Sequence, residues 1–332
     1  MDFQKINTDF LSKVNDPFYR LLVVLQGKFN ELTHLFWNKN GVLTINLPIT
    51  TGSISSPMGL GSDSTAVSVK LGNVQTYLAD SMQFALEYGC RFLKKGCYYI
   101  MPSFRGENVD NRHLSQFFHS EAELPVDFES ILQVAEDYVR YLSAELLECL
   151  ISNGFDNPVK LKKIENALAD ERSFVRISFQ EARHILGEDA NFFKEVIPDV
   201  YVITQKGEQE LLRKVSSIIW LYGADSRSVP FYQAKNSDMK TVKAADLLMD
   251  GVGEVVGCGE RHTNARDLEL AMNEHNIKID EYEWYVKMKA SMPLMTSGFG
   301  MGIERFFMWL LSESDIRKLQ LLPRDNNIQY QP

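Results

Sequence analysis

The chain has 332 residues and a net charge of −9, with 45% hydrophobic and 24% charged residues, the balance of a globular protein with a sizeable core. It holds no run of about 18 apolar residues, which excludes a membrane-spanning helix, and its start, MDFQKINTDF, lacks the basic-then-apolar layout of a secretory leader. Cys90, Cys97, Cys149 and Cys258 form no CxxC pair and read as buried thiols of a cytoplasmic protein, while the acidic balance argues mildly against a nucleic-acid partner.

Asp16-Pro17 offers a capping oxygen followed by the residue best tolerated at the first helical position. Phe18, Leu21, Leu22, Leu25, Phe29, Leu32 and Phe36 then recur at helical spacing until Asn40-Gly41. Residues 42–47 read as a strand stopped by Pro48, and the stretch 51–64, rich in Gly, Ser and Pro, as a mobile loop. Residues 66–70 are β-rich and 77–93 read as helical. Strands are expected at 97–104 and 117–124, paired around a charged turn. A long amphipathic helix is predicted over 128–151, with Ile131, Ala135, Tyr138, Leu142, Leu146 and Leu150 on one face. Residues 154–230 mix short helices with a strand at 200–204, and three β-like segments then precede a helix at 302–311. Hairpin-joined strands with helices gathered to one side predict an α+β domain on an antiparallel sheet of about six strands.

Two segments carry chemistry. Pro102-Ser-Phe-Arg-Gly-Glu-Asn108 and Arg112-His-Leu-Ser-Gln-Phe-Phe-His-Ser-Glu-Ala-Glu123 place a strand ending in Arg and Glu, a polar turn and a returning strand around one pocket. Arg105 suits an α-phosphate, Glu107 an amino edge and Phe117 a flat surface for adenine. A solvated hairpin with incidental charges is the plainer alternative. In the second segment, 296–309, Gly298, Gly300 and Gly302 alternate, so that a flat ligand can lie against bare backbone. Arg305 follows at the start of a helix, where phosphate is favoured. Many folds use such a glycine-rich turn for packing alone.

In order and separation, the two segments resemble motifs 2 and 3 of the class II aminoacyl-tRNA synthetases. Leu47-Pro48 resembles the end of motif 1, whose long helix and strand form the dimer interface in that family. Pro230-Phe-Tyr232, Lys240-Thr-Val-Lys-Ala-Ala-Asp246, Gly251-Val-Gly253-Glu254-Val-Val-Gly257 and Glu281-Tyr-Glu-Trp284-Tyr285 resemble the catalytic core of asparaginyl-tRNA synthetase. Tyr77-Leu-Ala-Asp80-Ser-Met-Gln83 and Phe118-His119-Ser120-Glu121 resemble the archaeal asparagine synthetase related to that enzyme. The resemblance runs from about residue 40 to the C-terminus and is weakest across 154–215.

That resemblance implies ATP and Mg2+ as cofactors. Arg105 and Arg305 would be catalytic, holding the α- and γ-phosphates, with Arg112, His113 and Gly302 beside the nucleotide. Phe117 would stack on adenine with Glu107 near its amino group, and Asp246 and Glu254 would hold the metal. Activation needs no general base, because the acid's own carboxylate attacks the α-phosphate. The sequence departs from the family around Lys70-Leu-Gly-Asn-Val-Gln75 and across 289–296, so the amino-acid pocket is altered. Lys70, Gln83, Glu121, Glu208, Lys235, Gly257, Arg261 and Lys289 are the polar candidates for lining it.

An N-terminal helical segment, 1–41, stands where the family carries an anticodon-binding OB barrel, ahead of a catalytic domain over 42–332. The expected function is therefore an AMP-forming amide ligase. It would adenylate aspartate or a related amino acid and pass the acyl group to ammonia or a small amine, with His119 or Glu121 taking up the proton. A homodimer through 18–48 is expected, since the apolar stripe of the first long helix needs a partner surface. No membrane and no tRNA are expected as partners. The alternatives are a truncated synthetase that charges a tRNA or carrier, and a silent paralogue with a regulatory or scaffold role.

Overall fold

The Asp16 carboxylate accepts the Phe18 amide at 2.9 Å, a cap that stabilises a helix end by about 1 kcal/mol. The computed structural model describes residues 10–55, 60, 65–169, 173–187 and 189–324. After α1 (Phe10–Asn15), the capped α2 (Pro17–Asn40) ends at Gly41, whose φ of 71° makes the left-handed turn into β1 (Leu43–Thr44). Then come β2 (Thr50–Thr51), β3 (Val67–Leu71), β4 (Val74–Leu78), α3 (Gln83–Gly89), β5 (Cys97–Phe104), β6 (Gln116–Leu124) and α4 (Phe128–Ser152). The middle of the chain gives α5 (Pro158–Ala169), β7 (Val175–Ser178), α6 (Phe179–Leu186), β8 (Phe193–Ile197), β9 (Val200–Ile203), α7 (Gln205–Lys214) and β10 (Ile218–Tyr222). The chain closes with β11 (Ala244–Met249), β12 (Gly253–Glu260), α8 (Ala265–Glu274), α9 (Glu283–Ser291), β13 (Ser297–Gly302) and α10 (Ile303–Leu311).

Among the described residues the main sheet has eight strands, ordered β1-β5-β6-β13-β12-β11-β10-β7. Its interior is antiparallel, as expected, but both end pairs, β1 with β5 and β10 with β7, are parallel. The β7–β10 pair encloses α6, the β8–β9 hairpin and α7, the length of chain a parallel crossover requires. This crossover is the part the sequence left as a mixture of short helices.

The expected helix over 77–93 is shorter than predicted. Residues 74–78 form β4, which pairs with β3 across a turn at Gly72, φ 59°, and helix occupies only 83–89. Cross-strand pairing of Val74, Thr76 and Leu78 overrides the local helical spacing. Residues 56–59 and 61–64 of the expected mobile loop lie outside the described residues. Cys90, Cys97 and Cys258 are buried free thiols, while Cys149 is half-buried.

The period-2 alternation of the strands decides what faces the site. Ala122, Phe299, Met301, Val256, Cys258, Leu247, Met249 and Trp220 point to one side, where they pack with α2, α4 and α10. The α4 stripe, Ile131, Ala135, Tyr138, Leu142, Leu146 and Leu150, is buried there as predicted. Truncating one of its leucines to alanine costs about 2–5 kcal/mol. Phe117, His119, Glu121, Glu123, Asp246 and the β13 glycines occupy the opposite face. There α6 and α7 pack over Ile219, Leu221 and Leu248 and wall the cleft.

Candidate active site

Two adjoining compartments lie on that open face. One is lined by Arg105, Glu107, Arg112, His113, Phe117, Gly302 and Arg305, all seven of the residues expected around ATP. The other is lined by polar groups that include Ser81, Gln83, Glu121, Tyr232, Gln233 and Arg261. Arg105, His119, Glu254 and Gly300 line both and form the neck between them.

The first compartment gathers three arginines, Arg105, Arg112 and Arg305. The Arg105 guanidinium carbon stands 5.7 Å from the centroid of the Phe117 ring and 3.8 Å separates Arg105 Nη1 from Glu107 Oε1. The Nε groups of Arg105 and Arg112 are buried with no hydrogen-bond acceptor among the described residues, an arrangement that a phosphate oxygen would complete. Arg305, at the start of α10, donates to the Glu254 carbonyl at 3.0 Å and lies 3.4 Å from its carboxylate. His113 holds Asp110 at 2.8 Å, and burial, with Arg305 nearby, pushes its imidazole below its ordinary pKa.

Asp246 and Glu254 converge on Gly257. A Cβ built there would lie 3.4 Å from Glu254 Oε1 and 3.8 Å from Asp246 Oδ1, so the glycine leaves the space between them open. A bulge between Leu247 and Leu248 shifts the register that brings Glu254 there. Burial, and then the charges of Glu254 and Glu208, push the Asp246 carboxyl well above the usual carboxylate range. A divalent cation relieves that repulsion, and the all-oxygen donors fit Mg2+. Among the described residues no three acidic, His or Cys side chains form a metal cage. Mg2+ suits such a site, since it is commonly held by one or two carboxylates plus phosphate oxygens.

The second compartment holds four of the eight expected amino-acid-pocket residues: Gln83, Glu121, Gly257 and Arg261. The other four lie elsewhere. Lys70 is exposed on the β3–β4 hairpin opposite Gln75. Lys235 is paired with Glu274. Lys289 is fully buried against Glu87, which also accepts the Tyr285 hydroxyl at 2.5 Å, so it supports the fold rather than the pocket. Removing one partner of such a pair costs about 3–5 kcal/mol. Glu208, on α7, faces Arg112 on the phosphate side, with 3.5 Å between the charges. Spacing alone did not reveal this, because α7 belongs to the crossover.

Arg261 is buried on the floor of this compartment. Its Nε and Nη2 donate to Glu123 at 3.1–3.2 Å and its Nη1 donates to Gln233 Oε1 at 3.0 Å. Burial pushes Glu123 up to about 7 against the pull of Arg261. Glu121 behaves oppositely: burial works to raise it, but His119, Ser81 and Tyr99 outweigh burial and hold it below the usual range. Asp80 accepts both the backbone amide and the hydroxyl of Ser55 at 3.0 Å, tying the segment after β2 to this wall. Sequence reading passed over Ser81, Tyr99, Tyr232 and Gln233. Ser81 and Tyr232 sat inside quoted motifs, but nothing in spacing marks Gln233 as the partner of Arg261.

The glycine-rich strand does more than present bare backbone: Gly300 and Gly302 line the first compartment, and the strand also faces carboxylates. Gly298 and Gly300 stand opposite Glu123 and Glu121 in β6, and side chains at either position would crowd those carboxylates. The missing side chains make room for the protein's own acids.

A family model described as tRNA synthetases class II (D, K and N) matches residues 4–326. The asparagine–tRNA ligase of Buchnera aphidicola subsp. Schizaphis graminum is 30% identical over 335 residues, covering 92% of this chain and 70% of that protein. The crystal structure of asparaginyl-tRNA synthetase from Pyrococcus horikoshii, complexed with asparaginyl-adenylate, matches with a TM-score of 0.84 at 25% identity, over 96% of this chain and 71% of that one. The Entamoeba histolytica enzyme with the same adenylate matches with a TM-score of 0.78 at 25% identity, over 94% of this chain and 68% of that one. The expectation of a chain without a tRNA partner is overturned by these relatives, which are named for joining asparagine to tRNA. Net charge misled there, because an acidic total says nothing about a local basic surface. Nor do the matches support the resemblance to asparagine synthetase.

Proposed function

The chain belongs to the class II tRNA synthetases for aspartate, lysine and asparagine, AMP-forming ligases that use ATP and Mg2+ to make an aminoacyl-adenylate, and on that premise we propose that it activates asparagine and passes it to a tRNA. The supporting observation is the neck where Arg105, His119, Glu254 and Gly300 join the two compartments. ATP on the phosphate side and an amino acid on the polar side bring carboxylate and α-phosphate together there. The carboxylate oxygen attacks phosphorus and pyrophosphate leaves. Arg105 and Arg305 neutralise the charge that develops, and Asp246 and Glu254 hold the cation that assists them. A regulatory relic has no need of this complete set.

Asparagine fits the polar compartment better than aspartate. The Arg261 guanidinium already donates to both Glu123 and Gln233. The floor therefore has no positive charge to spare for another carboxylate, whereas a neutral amide needs only hydrogen bonds. The predicted apolar stripe of α2, with Leu22, Leu25, Phe29 and Leu32, is covered by the chain's own core and needs no partner, so the homodimer rests instead on the opposite side of the helix. Val23, Val24 and Leu35 are exposed on it, with Leu43 and Ile49 beyond its end. Pyrophosphate exchange with a panel of amino acids tests the activation step, and charging of total tRNA tests the acceptor.

A further inference from the structure

His119 stands where the two compartments meet, on the strand that also carries Phe117 and Glu121. Its ring meets the Phe117 ring edge-on, with centroids 4.7 Å apart and planes at 90°. Nδ1 lies 2.9 Å from Ser103 Oγ and 3.1 Å from Glu121 Oε1. Glu121 also accepts the Tyr99 hydroxyl and the Ser81 hydroxyl, the latter at 2.6 Å. These donors keep Glu121 ionised, and the tautomer with its proton on Nδ1 sets that proton against the carboxylate, leaving Ser103 Oγ as a further neighbour. The lone pair is then on Nε2, which no described residue hydrogen-bonds.

Activation has no use for such a base, since the attacking carboxylate carries no proton. Transfer does, because an acceptor hydroxyl must lose its proton as it attacks. We propose that His119 is the general base of the transfer step, with Glu121 as its positioning residue, a role that rests on the two-step reading above. The acceptor oxygen forms a bond to the carbonyl carbon, and its proton passes to His119 Nε2. The bond from that carbon to the phosphate oxygen breaks, and AMP leaves with the electron pair. Glu121 is the poorer proton acceptor, because its Oε2 already accepts from Tyr99 and Ser81 and its Oε1 faces His119 Nδ1.

The test compares the wild-type chain with His119→Asn, which keeps an N–H facing Glu121 but removes Nε2. With asparagine and Mg-ATP, pyrophosphate exchange reads activation, and single-turnover transfer from the preformed adenylate to total tRNA reads the second step. Transfer is expected to fall about 10²-fold or more while exchange falls less than about ten-fold, the scale of a lost general base. Exchange also reports folding. In a second variant, His119→Gly, added imidazole is expected to raise transfer and leave exchange where it is. Equal losses in both steps, undiminished transfer, or no response to imidazole would overturn the role. If the wild type forms adenylate yet charges no tRNA, the acceptor reading alone has failed. Hydroxylamine then serves as acceptor, and the same selective loss is expected in hydroxamate formation, its absence again overturning the role.

Discussion

Glu208 reaches from α7 to Arg112 in the turn before β6, with 3.5 Å between their charged groups, across the backbone of Gly253. Gly253 has φ 92°, and any side chain there would collide with both partners. The helical crossover is thereby fastened to the turn that borders the phosphates.

The contact predicts a pH dependence. Burial, only partly offset by Arg112, raises Glu208 from the ordinary 4.5 to about 7. The folded chain then binds this proton more tightly than the unfolded chain, so the stabilisation is complete below about 4.5 and is lost as pH rises through 7. Its ceiling is roughly 3 kcal/mol. Melting temperature measured from pH 5 to 8 should fall less steeply in Glu208→Gln than in the wild type. Identical slopes would show that Glu208 does not titrate in this window.

Arg105→Ala and Arg305→Ala should each lower pyrophosphate exchange by about 10²-fold or more, the scale of a lost charge stabiliser. Both variants should keep the wild-type circular dichroism spectrum, since neither arginine belongs to the core. Near-normal exchange in both would remove the phosphate clamp from the account.

The Asp246–Glu254 pair predicts a metal effect that needs no turnover. Mg2+ at 100 times its Kd stabilises a folded protein by about 2.7 kcal/mol, so added Mg2+ should raise the wild-type melting temperature. Asp246→Asn should be more stable than the wild type without metal, because burial and its acidic neighbours penalise that carboxylate. It should gain little from Mg2+. An equal Mg2+ response in both proteins would place the cation elsewhere.

Sedimentation should show a dimer that Val24→Asp dissociates, since Val24 is 43% exposed on the face of α2 turned away from the core. A wild-type monomer with full exchange activity would end the dimer proposal.

Much of the fold was legible because long periodic stretches dominate it. The apolar stripe of α4, the capped start of α2 and the β5–β6 hairpin all stand where spacing put them. The convergence of Arg105, Phe117 and Arg305 was legible for a related reason: Phe117 lies on β6, Arg305 in the first turn of α10, and Arg105 directly follows β5. The amino-acid side was half legible. Gln83, Glu121, Gly257 and Arg261 converge, but Lys289 and Lys235 are held by Glu87 and Glu274, partners 202 and 39 residues away in sequence. Spacing carries no trace of such pairings. The helix misplaced over 77–93 failed likewise, through β-pairing between 67–71 and 74–78 that local propensity does not encode.

The most direct measurement is a paired assay on the purified 332-residue chain. Pyrophosphate exchange is followed with each standard amino acid, and charging of total tRNA with the amino acid that supports it. The account predicts exchange strongest with asparagine, weaker with aspartate, and formation of asparaginyl-tRNA. Exchange with no amino acid, or an adenylate whose acyl group goes to ammonium while total tRNA stays uncharged, would contradict it.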